Sequence, residues 1–374
     1  MASNIPLEKL LEMPAATPPP GVTPNLVDPP NEEAAAKGII LSLWIFCSLM
    51  LLIRVYTKFV LIRKFDLSDY SIIMAWAILM GDFAPYWLFA NLAPGVDQWN
   101  MRLKDFSTVI EYFHAGGVLY GCCIFFIKLA ILLQFIEIFV PIRRTGTFYW
   151  TCLILIIVNF VFYFISFFLE VFSCNPVKKY HMPWIEGTCM NYNVLNVAAS
   201  SVNAASDIII LVLPQVRIWN LQMPLSRRIA VSAVFLIGVM ACTASVVRLA
   251  YTVVLMKTKN ISYYAYLSGI WTIPELSMGI AVACLPVLPK FIKSLDPSHR
   301  LSRIGSSLQG VFSGGSRSHS RSRSHNNSSD RTKGNNAPYT TIQRGKDGWS
   351  DSLPLVSTSS RGSVKQPDIA GQAV

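Results

Sequence analysis

Seven apolar stretches, each set off from the next by a short charged segment, fill the chain from Gly38 to Phe291, and a polar, basic stretch follows them. About 20 consecutive apolar residues in helical form cross the roughly 30 Å hydrocarbon layer of a bilayer. The pattern predicts spans over Gly38–Tyr56, Tyr70–Leu92, Ser107–Phe139, Thr147–Glu170, Val194–Val216, Ile229–Met256 and Tyr263–Phe291. The third, sixth and seventh exceed the bilayer thickness and must tilt or project beyond it. The period-two alternation of a transmembrane β-barrel is absent. The expected fold is an all-α membrane protein, a seven-transmembrane helix bundle over 38–291. A polar arm (1–37) and a Ser/Arg-rich tail (292–374) flank it, both read as disordered.

Composition supports this division. Hydrophobic residues make up 52% of the 374 and charged residues only 14%, although about a third of the chain is polar tail. The arm carries Pro18-Pro19-Pro20, Pro29-Pro30, Glu32 and Glu33, with no basic segment leading into an apolar one. No cleaved leader is expected there, so the first span should act as its own insertion signal.

Orientation follows from Lys and Arg in short loops, which favour the cytoplasmic side. One side collects Arg54, Lys58, Arg63, Lys64, Arg143, Arg144, Arg217, Arg227, Arg228, Lys290, Lys293, Arg300 and Arg303. The other has Lys37, Arg102, Lys104, Lys178, Lys179, Lys257 and Lys259. Thirteen against seven places the amino end outside and the carboxyl end in the cytoplasm. From Lys290 onward thirteen Lys/Arg face five Asp/Glu, so most of the formal charge of +11 belongs to the tail. Its run Ser316 to Ser324 alternates Ser with Arg and His. On a soluble protein this would suggest RNA binding; on a cytoplasmic tail it suits phosphorylation or plain solvation, and no nucleic-acid partner is expected.

Cys174 and Cys189 share the loop between spans four and five, on the side predicted to be oxidising, whereas the other six cysteines lie in spans. A Cys174–Cys189 disulfide is expected, with two free thiols, or one of them bridged to another external group, as the alternatives. Asn260 begins the single external loop sequon and is a candidate glycosylation site close to the membrane.

Five ionisable residues fall well inside spans: Asp82, Lys128, Asp207, Arg248 and Glu275. Such groups cost about 2.5–3.5 kcal/mol each on insertion scales and turn inward or serve function. Their depth suggests that Arg248 is neutralised by Glu275 or Asp82, and Lys128 by Asp207. Pairs of this kind either staple helices together or take part in switching. Pro274 precedes Glu275, which makes span seven the best candidate for a moving element. The run Phe160, Phe162, Tyr163, Phe164, Phe167 and Phe168 in span four reads as lipid-facing.

Several segments together resemble the fungal rhodopsin-like integral membrane proteins, the group that includes the Pth-type heptahelical receptors, and most of all the branch named after satratoxin-cluster protein 4. They are Arg54-Val55-Tyr56 with Leu67-Ser68-Asp69-Tyr70, Phe126-Ile127-Lys128-Leu129, Phe172 to Pro176 with Trp184 and Cys189, and Asn203 to Asp207 with Leu213-Pro214. Phe235 to Gly238, Val247-Arg248-Leu249, Trp271 to Glu275 and Cys284-Leu285-Pro286 complete the set. The resemblance covers about Arg54 to Leu288. It implies seven spans, membrane residence and an external disulfide, and it associates some members with secondary-metabolite clusters, including trichothecene-type toxins. The cysteine-free arm has no room for the cysteine-rich module that some of these receptors carry. Span seven has no lysine before Lys290, so no retinal-type Schiff base is expected, and no cofactor.

The expected function is a receptor-like protein, or an accessory to mycotoxin-type biosynthesis. Its partners would be the lipid bilayer, an unknown small-molecule ligand and a cytoplasmic signalling protein. A transporter is the alternative, although no internal repeat is visible. An enzyme ranks last, because His-Glu-x-x-His, Gly-x-Ser-x-Gly and phosphate-loop motifs are all missing.

Overall fold

The computed structural model describes residues 6–92, 94–140, 146–218 and 225–295, with backbone alone for residues 193, 216–218 and 225–231. Arg143, Arg144, the side chains of Arg217, Arg227 and Arg228, and the tail with its Ser/Arg run lie outside the described residues. Helix α1 (Leu7–Leu11) belongs to the arm; α2 (Glu33–Tyr56), α3 (Leu67–Leu92), α4 (Leu103–Phe139), α5 (Thr147–Val171), α6 (Tyr192–Ile218), α7 (Leu225–Lys257) and α8 (Ile261–Cys284) follow. These last seven are long and apolar enough to cross a membrane. A short amphipathic α9 (Leu288–Leu295) closes the described chain.

The helices form a bundle in which α4 and α8 are the inner members. About 50% of the apolar window of α4 and 67% of that of α8 is buried, against 17% for α5. Helix α8 packs on α2, α4 and α7, which joins the first span to the last. On α5, Trp150, Ile154, Phe160 and Phe164 are more than half exposed, as suits a face that meets lipid rather than protein. The run in span four is not uniformly outward, however. Tyr163 is buried and Phe162 turns inward with it, because the 3.6-residue period carries adjacent residues to different faces.

Helix α2 runs seamlessly into a π-helical turn over Thr57–Ile62, which ends at Arg63 in the left-handed region (φ 54°). With Arg54 at the end of α2 and Lys58 in this turn, two of the presumed loop cations lie in the bundle. Arg54 is 2% exposed; its guanidinium donates to Asp69 (2.7 and 2.9 Å), to Gln134 Oε1 (3.1 Å), to Ser68 Oγ (3.4 Å) and to the Ala283 carbonyl. Lys58 pairs with Asp66 (2.8 Å) and Asp69 (3.0 Å). Four elements are thereby tied at the end that leads to the tail. Burial works against the charge on the Asp66 carboxyl, but hydrogen bonds from Lys58 and Lys64 outweigh it and hold the group below the usual Asp range. A depressed folded value means that this clasp contributes above the unfolded pKa of about 3.9 and is lost as pH falls through the folded one.

The opposite end is closed by the arm and two loops. The sequence suggests a disordered arm, yet residues 6–32 are laid over the α3–α4 loop. Pro14 and Arg102 form an antiparallel bridge, with Ala15 N–H donating to Met101 O and Leu103 N–H to Met13 O, each 2.9 Å. Glu12 pairs with Arg102 (2.9 Å) and Lys104 (2.6 Å), and the Lys104 hydrogen bond holds its carboxyl below the usual range. A composition-based reading misses these contacts because each joins residues about ninety positions apart.

Strands β1 (Cys174–Asn175) and β2 (Thr188–Cys189) pair antiparallel, and Cys174 is bonded to Cys189. Gly187 sits so close to the Asn175 carbonyl that any side chain would force the strands apart. Closing a loop of this length is worth about 3 kcal/mol in the chain-entropy model. The disulfide, the arm and the amino end of α8 all lie at the same end of the bundle.

Candidate functional site

Within the lipid-spanning part, where no water competes, polar side chains must satisfy one another. The interior does this through one connected set. Arg248 Nε on α7 donates to Glu275 Oε2 on α8 at 2.7 Å, and its Nη2 donates to Tyr120 Oη on α4 at 2.7 Å. Tyr120 in turn donates to Glu275 Oε1 (3.0 Å), and Arg248 Nη1 to Ser200 Oγ (3.2 Å). Asn203 Nδ2 on α6 reaches Glu275 Oε1 (2.7 Å), Ser245 Oγ (2.9 Å) and Asp207 Oδ2 (3.2 Å). Lys128 Nζ on α4 pairs with Asp207 Oδ1 (2.9 Å) and donates to the Asn203 carbonyl (3.1 Å), while Tyr163 Oη donates to Asn203 Oδ1 (2.6 Å). Two ion pairs are thus joined through the single amide of Asn203, across α4, α5, α6, α7 and α8. Glu275 is 1% and Lys128 2% exposed, so neither pair is a solvated surface contact of small worth.

The structure therefore places Arg248 beside Glu275 and Lys128 beside Asp207. Asp82 stands apart: it is 0% exposed, and neither carboxylate oxygen meets a hydrogen-bond partner among the described residues. Asn260 spends its amide on Asp97 (2.6 Å) and its side-chain carbonyl on the Gln98 N–H (3.0 Å), and the sequon hydroxyl of Ser262 is buried on the Val96 carbonyl (3.0 Å). These bonds fasten the α3–α4 loop to the start of α8 and engage the nitrogen that a glycan would need.

Above the charge chain, toward the disulfide end, lies a cavity with about 110 Å³ of free space. Its walls come from the same end of six helices: Ala36 and Ile40 of α2, Tyr86 and Phe89 of α3, Tyr112 to Gly121 of α4, Phe162 to Glu170 of α5, Tyr192 to Asn203 of α6, and Ala265 to Ile273 of α8. Arg248 of α7 joins Tyr120, Tyr163 and Asn203 in its floor. Anything bound there rests directly on the charge chain. Mostly aromatic and aliphatic walls with a few convergent polar groups are the general character of a small-molecule site. Among the described residues no group of three or more His, Cys, Asp or Glu is arranged to hold a metal ion.

A profile of the fungal rhodopsin domain matches residues 53–294, from the end of α2 to α9. The chain belongs to the fungal rhodopsin domain family. It is 31% identical over 301 residues to fugralins biosynthesis cluster protein 2 of Gibberella zeae, covering 78% of this chain and 74% of that one. It is 34% identical over 199 residues to a SAT4 family membrane protein of Emericella nidulans (53% and 50% covered). Satratoxin biosynthesis SC1 cluster protein 4 of Stachybotrys chartarum is 25% identical over 135 residues, 35% of this chain and 48% of that one. No solved structure matches the chain. The fungal rhodopsin domain thus contains the whole charge chain and most of the cavity.

Three site residues escape a reading by charge alone. Tyr120 and Asn203 are uncharged, and Glu170 looks like the polar end of a span. The signal for Tyr120 was its neighbourhood, since Gly116, Gly117 and Gly121 leave a strip without side chains on a long inner helix.

Proposed function

We propose that this fungal rhodopsin domain protein is a receptor-like membrane protein of secondary metabolism that takes up a small molecule at the disulfide end and passes its presence on to the opposite end. The observation that carries this reading is the shared floor: Arg248, Asn203, Tyr120 and Tyr163 belong both to the cavity wall and to the charge chain. A ligand that touches them in one arrangement of α8 more than in another shifts the balance between arrangements. Pro274, inside α8 next to Glu275, marks the place where that helix gives. Two relatives named for fugralins and satratoxin biosynthesis clusters support the metabolic setting.

In this reading the disulfide end faces outward and the tail end faces the cytoplasm and a signalling protein. Removing the buried Arg54 and Lys58 from the loop cations leaves eleven against seven, so the bias stands. The protein catalyses no reaction. The Arg54 clasp closes the far end of the bundle, which favours a sensor over a conduit for the same molecule.

Gly121 lines the cavity, and a Cβ there meets nothing within 4 Å; Gly121→Leu therefore starts its side chain in open space and takes up cavity volume. Fractions of a metabolite extract from the source organism are expected to raise the melting temperature of the purified protein in nanodiscs. Gly121→Leu should abolish that rise, and vesicles holding the wild type should show no flux of the active fraction. Stabilisation that persists in Gly121→Leu contradicts the site, and flux makes the protein a transporter.

A further inference from the structure

The charges around the cavity do not balance. Besides tyrosines, its lining contains two ionisable groups, Arg248 and Glu170. Arg248 is already neutralised by Glu275 at 2.7 Å. Glu170 has no cation within ion-pair distance among the described residues; its carboxylate accepts one hydrogen bond, from Tyr192 Oη at 3.3 Å, and His114 is engaged instead with the Glu170 backbone carbonyl at 2.9 Å. A carboxylate on a low-dielectric wall with one weak donor lacks a partner, and a ligand can supply one.

Two features show that the carboxylate is accommodated rather than accidental. It lies on Gly117 of α4, where any Cβ would fall on Glu170 Oε1. It also shares the cavity with electron-rich rings, those of Tyr112, Tyr120, Phe162 and Tyr192, of which Tyr192 reaches the carboxylate directly. Faces of tyrosine and phenylalanine attract ammonium groups, most strongly where water is excluded. Arg248 itself is held this way, 4.6 Å from the Tyr120 ring centre.

Resting on the reading of the cavity as a ligand site, we infer that its ligand is a small organic cation, an amine or quaternary ammonium, whose charge sits against Glu170 among the aromatic rings. A neutral or anionic molecule of the same shape leaves the carboxylate uncompensated or repels it.

The test uses choline and its neutral isostere 3,3-dimethylbutan-1-ol on the purified full chain in nanodiscs, with thermal stabilisation and equilibrium binding as readouts. Choline is expected to bind and the alcohol to bind at least about tenfold more weakly, the size of a lost hydrogen bond or contact to a charged group. Glu170→Gln keeps the shape and the Tyr192 bond and should weaken choline by about tenfold while leaving the alcohol unchanged. Gly117→Ala, which displaces the carboxylate, should act in the same direction. Equal binding of the two probes, choline binding unaffected by Glu170→Gln, or no binding of choline while a metabolite fraction still binds, overturns the cation assignment and leaves the cavity reading in place. A cavity that takes neither these probes nor any fraction overturns both.

Discussion

Arg248→Ala is expected to destabilise the protein by about 3–5 kcal/mol, the cost of leaving a buried partner charge uncompensated. Glu275, 1% exposed, would keep, among the described residues, only the Tyr120 hydroxyl and the Asn203 amide as donors. Glu275→Ala should cost a similar amount, because Arg248 would then hold its charge on Ser200 and the Tyr120 hydroxyl alone. The swap Arg248→Glu with Glu275→Arg restores opposite charges and should recover part of the loss. Recovery stays incomplete because the Asn203 amide now donates to Glu275 and would have to turn over to face a guanidinium. Cys47, Cys123, Cys152 and Cys284 are buried free thiols, so their exposure to a thiol-reactive dye on heating reports unfolding directly. Single variants as stable as wild type, or a swap worse than either, would remove the pair from its structural role.

Arg54→Ala should have an effect of the same order at the other end, about 3–5 kcal/mol, as several buried acceptors each lose a donor at about 1–3 kcal/mol apiece. Asp69 would still have Lys58 at 3.0 Å, so the main loss falls on the Gln134 side chain and the Ala283 carbonyl, which would lose a buried donor. Arg54→Lys should restore only a part, since one ammonium cannot span the acceptors of a planar fork. If Arg54→Lys matched wild type in the same dye assay, a point charge would suffice and the fork geometry would be irrelevant. Because this clasp joins α2, α3, α4 and the end of α8, the variant should also loosen the end at which the proposed signal leaves.

These expectations rest on features that the chain displays unequally. Seven spans are legible because run length in apolar residues is a local property, and α5 matches its predicted Thr147–Glu170 to within one residue. Local patterns fail at α2, where Arg54 and Lys58 look like the start of a loop. Only the arrival of Asp66 and Asp69 from the next segment allows a helix to carry two cations inward. Depth along each helix was enough to bring Lys128 near Asp207 and Arg248 near Glu275. It was not enough to separate Glu275 from Asp82 as the partner of Arg248, because rotation about the helix axis decides that and depth is blind to it. The cavity was invisible altogether. It is assembled from seven helices, and its telling residues are absences: Gly117, which makes room for the Glu170 carboxylate, and Gly121, which leaves open space beside Tyr120.

In the proposed function, recognition and read-out occur on opposite faces of the membrane, with the disulfide end outside. Cells expressing the chain with one epitope on the arm and a second on the tail test it in a single experiment. Antibody staining before and after permeabilisation should find the arm epitope on intact cells and the tail epitope only after the membrane is opened. Both epitopes in one compartment, or the reverse arrangement, would contradict it.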